Sequence, residues 1–175
     1  VRRVLVKGGR VQGVEVERDG EVQTIRCRRV VLCGGAFGTP GILLRSGIGP
    51  RAEIERLGVE LVRDVPGVAA QLLDHPGCAL FFRPSAAVGW DPSHPLIQTV
   101  ALLEGDGPHR NALQFQAGST VPTKWGMVRG VSLMLSVCKP KSVGRIHFAS
   151  ADPHAKPQIR SNFFSHPDDL ALAVK

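Results

Sequence analysis

The sequence predicts two joined units: a layered α/β unit carrying a small antiparallel meander, then an α+β unit built on an antiparallel sheet. Three observations support this. Short alternating segments near the start are separated by Gly8-Gly9 and by Asp19-Gly20. A continuous apolar run, Val30-Val31-Leu32-Cys33, then leads into a glycine pair and a helical pattern. From Cys78 onward, strand-like segments alternate with links rich in Pro, Gly, Ser and His.

The elements follow in order. Val4 to Val6, Val11 to Glu17 and Val22 to Ile25 read as the strands of the meander, because Asp-Gly between alternating runs supplies the two positive-φ positions of a tight hairpin turn. Val30 to Cys33 lacks alternation, the pattern of a strand buried on both faces. Thr39 can cap a helix and Pro40 can take its first position without losing a useful N–H, so a short helix is predicted from Pro40, ending at Ser46-Gly47. A second helix is predicted over Arg51 to Leu57 with Gly58 as its stop, then a strand over Glu60 to Val62. Turn formers cluster from Val65-Pro66-Gly67 to Asp74-His75-Pro76-Gly77, which sets the domain boundary: 1–76 and 77–175. Cys78 to Arg83, Ile97 to Leu103, Ala112 to Ala117, Val131 to Cys138 and Arg145 to Phe148 are the strands expected beyond it. His166 to Lys175 opens as a helix, with Pro and two acids in its first turn and no stop signal.

A chain of 175 residues holds one domain or parts of two. Hydrophobic residues make up 43% and charged ones 21%, a globular balance rather than a disordered one, and no apolar run approaches the roughly 20 residues of a spanning helix. The chain opens on an alternating strand with no initiator Met, so it is expected to be an internal segment of a longer protein. Cys27, Cys33, Cys78 and Cys138 are far apart with no CxxC pair, which fits free thiols and a cytoplasmic location. The net charge of +7 raises a nucleic-acid hypothesis. Scattered Lys and Arg with only 5% aromatics argue against it. No metal site is expected, since His94, His109, His147, His154 and His166 show no ligand spacing.

Gly35-Ala36-Phe37-Gly38-Thr39-Pro40-Gly41-Ile42-Leu43-Leu44-Arg45-Ser46-Gly47-Ile48-Gly49 resembles the second signature of the glucose-methanol-choline (GMC) oxidoreductases, choline dehydrogenase-like members included. Val1 to Val14 is similar to the strand pair before that signature. Pro66 to Pro76 resembles the family's Gly-x-Asn-Leu-x-Asp-His-Pro loop, with Gln71 in place of the Asn. The stretches Ser142 to Arg145, Ala151 to Pro153, Pro157 to Ile159 and Asn162 to Phe164 resemble the start of its C-terminal region.

The resemblance implies part of an FAD-binding domain of the two-dinucleotide-binding type over 1–76, joined over 77–175 to part of a substrate domain. It also implies transfer of hydride from a small-molecule alcohol to flavin; neither the alcohol nor the electron acceptor is chosen by these residues. Val1 is implied to meet the FAD adenine through its main chain. Gly34, Gly35 and Ala36 are implied to lie beside the cofactor, and Asp74 and His75 to border the flavin, with Asp74 anchoring the loop backbone. The family's Gly-rich pyrophosphate turn and its C-terminal catalytic pair, a His followed by a second His or an Asn, have no counterpart here, so no catalytic residue is assigned and the chain alone is expected to be inactive. A catalytically silent flavin-binding relative would share these motifs. Trp90 and Trp125 are read as loop anchors, with a substrate entrance as the alternative.

Overall fold

The computed structural model describes residues 1–87, 89–91, 93–105 and 110–174. In chain order the elements are β1 (Arg3–Lys7), β2 (Arg10–Arg18), β3 (Glu21–Arg26), α1 (Gly35–Arg45), β4 (Ile48–Gly49), α2 (Arg51–Arg56), β5 (Arg63–Asp64), β6 (Gly77–Phe82), β7 (Thr99–Leu103), β8 (Leu113–Thr123), β9 (Gly126–Val137), β10 (Arg145–His147), β11 (Gln158–Arg160) and α3 (Pro167–Ala173). They form two compact units: Val1–Leu72 with Gly144–Ser161, and Leu73–Val143 with Asn162–Lys175.

In the first unit, β1, β2 and β3 make the expected antiparallel meander. Each of its turns has two residues at positive φ, Gly8 and Gly9 at 57° and 73° and Asp19 and Gly20 at 53° and 81°, which matches the right-handed strand twist. The α2 helix ends as its sequence predicts. Gly58 takes φ +67°, its N–H reaches the Glu55 carbonyl at 3.0 Å, and the Val59 N–H reaches that of Ile54 at 3.1 Å, so two terminal carbonyls are satisfied. The core of this unit is Leu44, Ile54, Leu72, Ile146 and Phe148, with Leu57, Val59, Leu61 and Val68 packed around it.

Four expectations for this unit need correction. Val30 to Cys33 is not a strand, and Val31 is 77% exposed. A strand exists only where a neighbour completes its ladder, and among the described residues none pairs with this run. The α1 helix begins at Gly35 rather than Pro40, which sits inside it. Thr39 still acts as a cap, but from within the helix: its hydroxyl accepts the Gly34 N–H at 3.0 Å. The strand expected over Glu60 to Val62 falls instead at Arg63–Asp64, parallel to Ile48–Gly49. Finally, Arg145–His147 pairs with Gln158–Arg160 and not with the larger sheet. The 76/77 division differs from the compact units for the same reason. Leu72 and Gly144 exchange main-chain bonds of 2.9 and 2.8 Å, and Ile146 and Phe148 enter the first unit's core.

The second unit is a four-stranded antiparallel sheet in the order β6-β9-β8-β7, with α3 against β9. The pairing register places Cys78, Leu80, Phe82, Val131, Leu133 and Leu135 on one face, and Gln114, Gln116, Ser132, Ser136 and Met134 on the other. The β8–β9 hairpin is longer than its sequence suggests, running through Pro122, which stands opposite Met127. Asp169 anchors α3: its buried carboxylate accepts the main-chain N–H groups of Lys141 (2.9 Å) and Ser142 (2.7 Å) and the Ser142 hydroxyl.

Candidate functional site

The residues singled out by sequence fall in both units, and each group is described on its own. In the first unit, Gly34 and Gly35 open α1. Gly34 has φ −83° and ψ 9°, Gly35 has φ +68°, and the Gly38 N–H closes the first turn on the Gly34 carbonyl at 3.1 Å. The two glycines are required for different reasons. A Cβ on Gly34 would stand 2.9 Å from the Thr39 nitrogen, so it has no room for a side chain. Gly35 needs its positive φ, yet nothing lies within 4 Å of where its Cβ would be. Gly38 is equally open, and Ala36 and Phe37 are exposed. The outcome is a bare backbone surface at the start of α1, the local geometry that lets a ligand approach main-chain groups closely.

Val1 lies at the other end of the same helix. The Arg2 N–H donates to the Glu15 carbonyl at 2.8 Å, and the Arg2 carbonyl accepts from Nε of Arg45, the last residue of α1, at 2.7 Å. Ser46 adds a second tie, its Oγ accepting the Val4 N–H at 2.8 Å and donating to the Ile42 carbonyl at 2.6 Å. Arg45 is half-buried, and burial, with the neighbouring Arg2 charge, holds its pKa below the usual arginine value. Val1 itself is 56% exposed. At 1.5 Å per residue, the 11 residues of α1 span about 16 Å along the helix axis.

In the second unit, Asp74 and His75 are both exposed. The Asp74 carboxylate accepts the main-chain N–H of His75 at 2.8 Å and not the imidazole. The next residue, Pro76, is fully buried and its carbonyl accepts the Val137 N–H at 2.9 Å. Sequence reasoning missed Pro76 as the anchor of this loop, and missed Arg45, Ser46 and Asp169 as positioning groups. A polar residue just after an apolar helical run was the available signal for Ser46; Asp169 gave none beyond its place in a first turn.

Trp90 donates its indole N–H to the Thr120 hydroxyl at 3.3 Å. Trp125 corrects the expectation of an anchored ring: it is 83% exposed at the β8–β9 turn, with the Lys124 ammonium 4.4 Å from its ring centre. His109 lies outside the described residues. Among the described residues, no three His, Cys, Asp or Glu side chains are placed to hold a metal, and no helix is long and apolar enough to cross a membrane.

A family description, GMC oxidoreductase, matches residues 1–77. An uncharacterized GMC-type oxidoreductase of Rhodococcus erythropolis is 34% identical over 173 residues, covering 98% of this chain and 34% of that protein. An oxygen-dependent choline dehydrogenase of Photobacterium profundum is 32% identical over 198 residues, covering 96% and 34%. The chain thus spans about a third of the length of these relatives. Among solved structures, a formate oxidase superposes with a TM-score of 0.81 at 22% identity, covering 98% of this chain and 40% of that one. A pyridoxine 4-oxidase from Mesorbium loti gives 0.76 at 20%, covering 99% and 36%. The likeness runs across both units, so the meander, the signature helix and the four-stranded sheet are the fold of these oxidases. Residues 1–77 thus carry the match to the GMC oxidoreductase family.

Proposed function

We propose that the whole protein containing this chain is an FAD-dependent oxidoreductase acting on a small-molecule alcohol, choline-like alcohols among the candidates. FAD is the cofactor that the family and its structural neighbours indicate. When bound, FAD supplies hydride acceptance from the alcohol carbon. This chain's residues bind and position. The open backbone of Gly34, Gly35 and Ala36 faces the cofactor, and the main chain at Val1 holds its adenine end. Asp74 stiffens the loop that carries His75 to the edge of the flavin site.

The observation carrying this reading is the bare Gly34–Ala36 turn, at one end of a helix whose other end holds Val1. A bare backbone turn at the start of the signature helix suits a cofactor approached through main-chain groups. The first unit, Val1–Leu72 with Gly144–Ser161, then serves the cofactor, and the unit with the four-stranded sheet belongs to the substrate side. The proton-abstracting base is not assigned to this chain, and the electron acceptor is left open. Four free cysteines support a reducing, cytoplasmic setting.

The test is flavin content after desalting, in the whole protein and in this chain alone. The whole protein should retain FAD and its Gly35→Val variant should lose most of it; the 175-residue chain should release it. Full retention by Gly35→Val, with native circular dichroism, would remove the turn from the cofactor site.

A further inference from the structure

Charge is segregated along the meander. The acids of its first 29 residues, Glu15, Glu17, Asp19 and Glu21, all lie toward the β2–β3 turn. Three of them are paired there: Arg2 and Arg3 with Glu15, Arg2 and His154 with Glu17, and Arg18 with Asp19. The opposite end carries Lys7, Arg10, Arg26, Arg28 and Arg29 and no acid. Lys7 and Arg10 are directly opposite in the register, a like-charge pair that costs stability by itself. Along β2 the first acid after Arg10 is Glu15, five residues and about 17 Å away, well beyond the ~8 Å screening length of physiological salt.

That end of the sheet is concave. An open hollow of about 680 Å³ is lined by Gly9, Arg10, Val11, Gln12 and Arg26 to Arg28, with no acidic residue among the described residues of its wall. Its size lies within the range of small-molecule sites. The Cys27 N–H donates to the Gln12 carbonyl at 3.2 Å, fixing the segment that carries Arg26 and Arg28 across the mouth of the first hairpin. Three arginines lining one hollow, with no acid among its described lining residues, form a site whose natural complement is a phosphate cluster, since each planar guanidinium fork can bind phosphate oxygens bidentately.

We propose that this hollow binds a small anion carrying two or more phosphate groups, held by Arg10, Arg26 and Arg28, at a place distinct from the Gly34–Ala36 turn. A nucleic acid is disfavoured because the cations ring one hollow and do not extend as a stripe, and because the described wall contains no aromatic side chain for base stacking.

Calorimetric titration of the whole, flavin-loaded protein with inorganic tripolyphosphate and with ADP at physiological salt tests this, with a single-stranded oligonucleotide as a third arm. Saturable one-to-one binding of tripolyphosphate is expected. ADP binding as tightly would indicate a nucleotide as the source, and weaker ADP binding a free polyphosphate. Arg26→Gln and Arg28→Gln should each weaken binding about tenfold. Arg28 lies outside the ladder, so its loss leaves the sheet intact. Arg63→Gln, the same charge change on exposed β5, should leave affinity within about twofold. No saturable binding, equal weakening by Arg63→Gln, or tighter binding of the oligonucleotide than of tripolyphosphate would each overturn the proposal.

Discussion

Gly41, midway along α1, lies against the ring of Phe148: a Cβ at Gly41 would come within 2.8 Å of Phe148 Cε1. This one approach joins the signature helix to the segment that returns to the first unit at residues 144–161. Gly41→Ala is therefore expected to lower stability by about 1–3 kcal/mol through overpacking, visible as a reduced thermal midpoint. Adding Phe148→Leu should recover part of that loss. A recovery shows that the ring, and not helix propensity, sets the requirement, because Ala is otherwise the better helix former.

Asp169 ties α3 to the segment before β10. Burial acts to raise its pKa, but the N–H groups of Lys141 and Ser142 and the Ser142 hydroxyl outweigh it and hold the carboxyl below its ordinary value. A depressed folded pKa means that the stabilisation is complete above the unfolded value of about 3.9 and is lost as pH falls through the folded one. Asp169→Asn should cost about 1–3 kcal/mol at pH 7 in urea unfolding, and the gap from the parent should close below about pH 4.

Much of the first unit was legible because its signals are local. Asp19-Gly20 and Gly58 act within a few residues of themselves, and the turns they specify are present. Val30 to Cys33 was misread because strand identity depends on a partner, and composition cannot show whether one is supplied. The return of residues 144–161 had no local mark: Ile146 looks like any strand residue, and only Leu72 opposite Gly144 reveals its place. Of the candidate site, the glycine turn was legible. The different reasons for Gly34 and Gly35 needed the surrounding atoms.

The thiols offer a check on local exposure. Cys33 and Cys78 are exposed, while Cys27 and Cys138 are partly buried. A disulfide reagent added to the folded chain should modify two thiols rapidly and two more slowly, with all four reacting quickly in denaturant. Mass mapping should assign the fast pair to Cys33 and Cys78.

His75 stands beside a carboxylate that engages its main chain and not its ring. In the whole protein, His75→Ala should lower flavin retention or stability while leaving single-turnover flavin reduction nearly unchanged. A base would behave oppositely, its loss slowing reduction by roughly 10²–10⁴-fold with the flavin still bound.

Anaerobic mixing of the whole, flavin-loaded protein with a panel of primary and secondary alcohols, choline included, tests the central claim most directly. The account predicts that at least one alcohol bleaches the oxidised-flavin absorption band in a saturable way, yielding the matching aldehyde or ketone. Persistent oxidised flavin with every alcohol, in a protein that chemical reductants still bleach, would contradict it.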